Sequence, residues 1–470
     1  MLTLKKNNFP LRVLIYIILL PASMISVYLL TIWPPIIYFS VTNLIILSFA
    51  FIGMMLNYER PYSLVKMVYV FVFFFFGVVP LNDIYHSNVY WDAAQPVQES
   101  FMVITNILII LGVLSFFVGS HVKVNYFNFI SVFFNPKISK NNYIFLFFFA
   151  FVAFTIFYMN SFDIYRLVFR GAISDLLGNS LVSFSQTERL ILNNFIRPMP
   201  FILLAVFVYL CRSNKKNSSC VITNNCLSVR KLFLVLFIVL SIFLVAPTSV
   251  PRFQAAALYI PLILIFTTLW DWPYRMQFSI LGALLVVMPF LDKFRRFDPE
   301  SFSWSIDLNF LNHGHFDAYQ NFSRVVEIGL ITNGKQLMGS LLFFVPRAVW
   351  ESKPNGSGAT LADVAGYSFS NISMPFIAEG YINFGVVGVV IFMFILGLVL
   401  GNLDRIAWGI KKLKAESLFV YYYYFLFGMV FFVMRGDMMS SFAYTVGITV
   451  SFLFVVYALR LFNLRLKFRF

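Results

Sequence analysis

The stretch FIAEGYINFGVVGVVIFMFILGLVL, residues 376–400, carries a single charged side chain, Glu379. A helix needs about 20 predominantly apolar residues to cross the hydrocarbon of a bilayer, so this run predicts a transmembrane helix. Similar runs recur along the whole chain. They give twelve candidate spans, at 11–31, 35–56, 63–81, 99–119, 143–159, 194–211, 232–247, 253–270, 277–292, 376–400, 417–434 and 439–459. Composition agrees: 60% of the residues are hydrophobic and 12% are charged, against about 25% charged in soluble domains. Helices alone satisfy their own backbone inside lipid without closing a barrel, so an all-α polytopic membrane fold is expected.

The chain divides into nine spans over 1–292, a polar segment over 293–375, and three spans over 376–470. The first apolar run starts at Leu11, contains Pro21 and is followed by no small-residue cleavage site, so it reads as a retained helix. The 60 Phe residues read mainly as lipid-facing filler. Cys211, Cys220 and Cys226 cluster around one polar loop with no zinc spacing and no disulfide framework. No internal or inverted repeat is evident.

Charge predicts orientation. With the N-terminus inside, the inner segments hold most of the 35 Lys and Arg, but only Glu59, Asp271, Asp404 and Glu416 of the 20 acids. That asymmetry follows the positive-inside rule. The net charge of +15 then reflects topology and attraction to anionic inner-leaflet lipid, not a nucleic-acid partner. Three outer segments are long enough to fold: 82–98, 160–193 and 293–375.

The candidate chemistry lies in the last of these. Around His313-Gly314-His315-Phe316-Asp317, the apolar residues Phe316, Tyr319, Phe322, Val326 and Leu330 follow helical spacing. Asp317, Asn321 and Arg324 share the other face, with Glu327 placed to pair with Arg324; one reading is a short amphipathic helix at the membrane surface with solvated charges, and the other keeps Asp317 and His315 for function. Next, Phe344 to Gly358 sets Arg347, Trp350 and Lys353 before an Asn-Gly-Ser-Gly turn. Arg offers paired donors to phosphate, Lys a point charge, and turn amides further anion contacts. Interfacial anchoring by Arg347 and Trp350 explains the same residues. Third, Glu379 stands at the mouth of a span, where a carboxylate is costly unless partnered, functional or favoured by the helix dipole. Arg252 follows the turn Pro247-Thr248-Ser249-Val250-Pro251 with no local acid. Arg435 and Asp437 are close enough in sequence to satisfy each other, and Asp292, Lys293, Arg295 and Arg296 read as a solvated cluster. P-loop, zincin and nucleophile-elbow motifs do not occur.

Two runs resemble the Wzy-type O-antigen polymerases, the repeat-unit polymerases of bacterial envelopes. Arg347, Trp350, Lys353 and Pro354 match an Arg-x-x-Trp-x-x-Lys-Pro pattern, and Glu379, Tyr381, Phe384 and Gly385 match Glu-x-Tyr-x-x-Phe-Gly. Arg252 is a weaker match, because Val250-Pro251 precede it in place of small residues. The resemblance covers about 80 residues. It implies a GT-C-like architecture and transfer of a growing glycan from undecaprenyl diphosphate to a new lipid-linked repeat unit. The site would be periplasmic, in the bacterial inner membrane, with both termini cytoplasmic. No cofactor or metal is implied, because fixed cations can neutralise the leaving group. Glu379, Asp317 and His315, in that order, become candidate general bases. Arg347, Lys353 and Arg252 become diphosphate ligands, and Trp350 and Tyr381 become sugar-stacking residues. A flippase and a chain-length regulator are the implied partners. An O-antigen ligase and a lipid-linked oligosaccharide flippase are the rival readings.

Overall fold

The computed structural model describes residues 37–56, 59–92, 95–124, 142–160, 164–168, 192–217, 224–289 and 310–467. The expected span at 11–31, the Asp292–Arg296 cluster, Cys220 and residues 169–191 lie outside these residues. The described secondary structure is entirely helical. Seven described helices are long and apolar enough to cross a membrane. In our numbering they are α1 (Ile37–Met55), α2 (Leu64–His86), α3 (Glu99–His121), α5 (Met199–Asn217), α12 (Phe376–Lys412), α13 (Leu418–Arg435) and α14 (Met438–Lys467). Four further expected spans appear as shorter apolar runs: Tyr143–Tyr158 of α4 (Asn142–Met159), Lys231–Leu244 of α6 (Asn224–Leu244), α7 (Arg252–Phe266) and α8 (Arg275–Leu285). The turn between α6 and α7 shortens both, and Tyr259 clasps it by donating its hydroxyl to the Val245 carbonyl at 2.7 Å. Between α8 and α12 come α9 (Ala318–Ile328), α10 (Lys335–Leu341) and α11 (Ser357–Ala365).

Helices α3 and α12 meet backbone to backbone. A Cβ on Gly397 would stand 2.2 Å from the Phe116 carbonyl oxygen, and one on Gly401 would stand 2.3 Å from that of Ser120. Association inside lipid lacks a hydrophobic drive, so such small-residue contacts supply the packing. Helices α7 and α13 pair similarly, with Gly428 against Ala257 and the Phe253 and Phe432 rings stacked at 3.6 Å. Because those rings lock one end of each helix, Arg252 and Arg435 emerge at the same end of the bundle.

Helix α2 contains a π-helical stretch, Val72–Val78. Phe74 and Phe75 on it form the platform for Phe316, at ring distances of 5.8 and 5.7 Å. Asn43 donates to the Phe76 carbonyl, satisfying backbone that the irregular winding leaves open. On α4, Phe147, Phe151 and Phe154 point outward while Phe145 and Phe149 are buried, so the phenylalanines serve both lipid and core.

The segment 82–92 joins 310–373 into one cap over this end. Trp91 donates its indole N–H to Asn321 and stacks on Phe369 at 5.4 Å. Asn82 and Asn88 both donate to Asn312, and Gln320 donates to the Asn88 carbonyl. Helix α9 therefore differs from the surface-helix reading. Arg324 does pair with Glu327, but Asp317 and Asn321 are buried under the cap, 1% exposed each. Polar side chains on that face are buried because the cap supplies their partners.

Candidate active site

Helix α12 is broken at Phe384 (φ −145°, ψ 24°) and Gly385 (φ 61°, ψ −145°). The second pair of dihedrals is essentially reserved to glycine. Gly380 and Gly388 touch across the break, each too close to the other's backbone for a Cβ. The carbonyls freed here are satisfied from the segment before α10: Ile382 accepts from the Thr332 amide at 2.7 Å and Asn383 from that of Gly334 at 3.1 Å. The Asn383 side chain accepts the Leu337 amide and donates back to the Glu379 carbonyl. The short half-helix so formed carries Glu379 into the cap.

Glu379 is fully buried. One carboxylate oxygen accepts the Met438 amide at 2.7 Å, the first N–H of α14, and the other accepts the Ser357 hydroxyl at 2.7 Å. Asp437 caps the same helix, accepting the Ser440 amide at 2.9 Å and hydroxyl at 3.0 Å. Burial holds the Asp437 carboxyl above the usual carboxylate range. Two carboxylates thus sit at one helix N-terminus, where the macrodipole favours negative charge. The Asn-Gly-Ser-Gly turn is turned toward them. A Cβ on Gly356 would lie 3.1 Å from the Asp437 carboxylate, and Ser357 reaches Glu379.

Asp317 is the hub of the neighbouring cluster. It accepts the Asn321 amide at 2.8 Å, the Ser373 amide at 3.1 Å and the Ser373 hydroxyl. Arg435 lies 3.6 Å away and donates from Nε to the His315 carbonyl at 3.1 Å. Arg435 therefore pairs with Asp317, not with Asp437 as its sequence position suggested, because Asp437 is engaged by the turn that starts α14. Arg252 reaches the same corner from α7, 3.3 Å from His315 Nε2 and over the Phe310 ring at 5.9 Å. Two arginines from different helices converge on one histidine, which is half-buried.

Arg347 and Lys353 lie on the loop after α10, and each closes that loop. Arg347 donates to the Lys353 and Pro354 carbonyls and to the Asn355 side chain, at 2.5, 3.1 and 2.7 Å. Lys353 donates to the carbonyls of Phe343 and Val345 at 2.7 and 2.9 Å. Partial burial and the nearby Arg347 charge push the Lys353 ammonium below its ordinary value. Trp350 donates to Ser352. Pro354 packs where a Cβ on Gly339 would be, beside Met439, so the loop ends against the start of α14. Met338 and Leu341 on α10, and Phe344 and Val349 on this loop, are exposed. Tyr381 is half-buried, its ring 6.2 Å from Phe322.

The structure thus assembles His315, Asp317 and Arg252 in one cluster and Glu379 in the next, with the Arg347–Lys353 loop bordering the second. Sequence reasoning missed Ser357, Ser373 and the Met438 amide as carboxylate partners, since hydroxyls and amides carry no pattern. It assigned Arg435 to the wrong acid.

The family model for the O-antigen polysaccharide polymerase Wzy matches residues 355–466. No curated protein and no solved structure matches the chain. The matched segment begins at the turn that feeds Ser357 to Glu379 and takes in Asp437 and Arg435. From that turn through nearly all of α14, this chain is similar to the Wzy-type O-antigen polymerases.

Proposed function

We propose that this membrane protein polymerises oligosaccharide repeat units carried on undecaprenyl diphosphate, working at the periplasmic face of the inner membrane. The observation that carries the proposal is the convergence of Arg252 and Arg435 on His315, under a cap adjoining the matched segment. A membrane-anchored diphosphate needs fixed cations at the end of a helix bundle, and preorganised charge there costs no rearrangement as the bond breaks. Arg252 and Arg435 hold the diphosphate, and the Arg347–Lys353 loop adds charge from its flank. Lys353 and Arg347 repel one another, so an anion between them is favoured.

In the proposed step, an acceptor sugar hydroxyl attacks the anomeric carbon of the donor. The bond from that carbon to the diphosphate oxygen breaks, and undecaprenyl diphosphate leaves. The hydroxyl proton passes to a general base. Among the three candidates, His315 has the accessible side chain. In the tautomer with Nε2 unprotonated, His315 accepts from Arg252, and a diphosphate that engages Arg252 frees that nitrogen to take the proton. Asp317 fixes Arg435 and the His315 corner, and Glu379 anchors the start of α14. Trp350 and Tyr381 offer aromatic faces to sugar rings. Within this reading, the architecture is a GT-C-like bundle of about twelve spans, supplied by a flippase and tuned by a chain-length regulator.

The test is a surface-glycan ladder from a deletion strain complemented with variants. Arg252→Ala, Arg435→Ala and His315→Ala should each leave single repeats on lipid A–core, with the protein at wild-type abundance in the membrane. A full ladder from both arginine variants would overturn the diphosphate assignment. Polymer accumulating on the lipid carrier in the deletion strain would mean a ligase instead, and repeats trapped inside would mean a flippase.

A further inference from the structure

The opposite end of the bundle holds a second charged feature that the polymerase reading does not use. A cavity of about 180 Å³ opens where the end of α1, the start of α2, the end of α3 and residues 401–405 of α12 meet. Among the described residues, Arg60, Lys66, His121, Lys123 and Arg405 line it, against one carboxylate, Asp404. Asp404 spends its oxygens on protein donors: the Leu64 amide at 2.8 Å, the Val65 amide at 3.1 Å and the Tyr423 hydroxyl at 2.6 Å. The cations are held in place. Lys66, 2% exposed, donates to the Arg60 carbonyl at 2.7 Å. Arg405 donates to the carbonyls of Ser120, at 2.9 Å, and Val122. Lys66 is buried, Arg60 and Arg405 are half-buried, and His121 and Lys123 are exposed, so the mouth presents positive charge to an entering anion.

Two lining residues are apolar and open outward: Leu56 is 41% exposed and Phe117 40%. Each continues an exposed apolar row toward the bilayer centre, Ile45, Phe49 and Ile52 on α1 and Ile107 and Leu114 on α3. A soluble phosphate has no use for such rows, whereas an acyl chain does. We propose that this cavity binds the phosphate of an anionic phospholipid, with an acyl chain lying along the α1 and α3 rows. Basic pockets between spanning helices recognise anionic headgroups by this combination of fixed charge and apolar flank.

The experiment titrates the full-length protein, in neutral detergent, with dioleoylphosphatidylglycerol or dioleoylphosphatidylcholine and counts retained lipids by native mass spectrometry. Wild type should retain one phosphatidylglycerol at concentrations where phosphatidylcholine is lost. The double variant Arg60→Gln/Lys123→Gln should bind it roughly thirtyfold more weakly. The melting temperature without lipid should match wild type. If the double variant melts early, Lys123→Gln alone, at an exposed position, should still weaken retention roughly fivefold. Equal retention of the two lipids, or unchanged retention by the variants, overturns the proposal. Displacement of the bound lipid by excess inorganic phosphate also overturns it, since the cavity would then take phosphate without a chain.

Discussion

Glu379 is a fully buried carboxylate at the mouth of a span, held by hydrogen bonds from Ser357 and the Met438 amide. Its cost at the mouth of a span is legible from position alone. What relieves that cost is not, because the relief comes from a hydroxyl 22 residues upstream and an amide 59 residues downstream. The geometry separates charge from hydrogen bonding. Glu379→Gln can keep both bonds, its oxygen accepting the Met438 amide and its NH₂ donating to Ser357. Glu379→Ala leaves the buried Met438 amide without an acceptor, at about 1–3 kcal/mol. We expect Glu379→Gln to keep the glycan ladder and Glu379→Ala to lose both ladder and membrane abundance, measured on glycan gels and membrane immunoblots. A ladder lost in Glu379→Gln at wild-type abundance would return the proton-accepting role to Glu379. Asp317 differs, because its partners include the arginine proposed to hold diphosphate. Asp317→Asn should therefore shorten the ladder without removing the protein, as Arg435 loses its counter-charge. An unchanged ladder would detach Arg435 from the reaction.

At the scale of the element, the break in α12 explains the Glu-x-Tyr-x-x-Phe-Gly pattern. The pattern was legible as a motif but not as a bend, since apolar periodicity runs straight across residues 376–400. The physical signal was Gly385 alone, and a lone glycine within a glycine-rich span gives no warning of a positive φ. Helix α9 departs from its sequence pattern for a related reason. Its apolar face was plain, but the burial of Asp317 and Asn321 depends on Trp91 and Ser373, far away in sequence. Gly385→Ala places a Cβ where φ is 61°, and the strain should cost about 1–3 kcal/mol. It should also tilt the half-helix that carries Glu379. Gly409 provides the control: it lies in the same helix with nothing within 4 Å of an added Cβ. Gly409→Ala should be neutral or stabilising by up to about 1 kcal/mol. Melting temperatures of the two purified variants check this. Equal values would mean that the break bends freely and does not hold Glu379 in place.

The whole molecule is organised by charge at its two ends. One end gathers Arg60, Lys66, Lys123, Arg405, Lys411 and Lys412, and the other sets the acids Glu379, Asp437 and Asp317 beside Arg252, Arg435, Arg347 and Lys353. Helix α13 separates these ends by 18 residues, about 27 Å at 1.5 Å per residue, close to the hydrocarbon thickness. That segregation was legible in the sequence because the positive-inside rule acts on loops, whose order needs no tertiary contact. The span count was less legible, since the apolar runs of α4, α6, α7 and α8 are short and hydropathy alone does not show the turns that end them. If the basic end faces the cytoplasm, single cysteines at the two ends must differ in access from outside. Val349, 78% exposed on the cap loop, and Leu413, 80% exposed after α12, are suitable positions in a background lacking Cys211, Cys220 and Cys226. A membrane-impermeant maleimide added to intact spheroplasts should label Val349→Cys fully and Leu413→Cys only after lysis. Labelling in the reverse order would place the cap in the cytoplasm. The arginine cluster would then be unable to meet a donor delivered to the outer leaflet, and the polymerase proposal would fail with it.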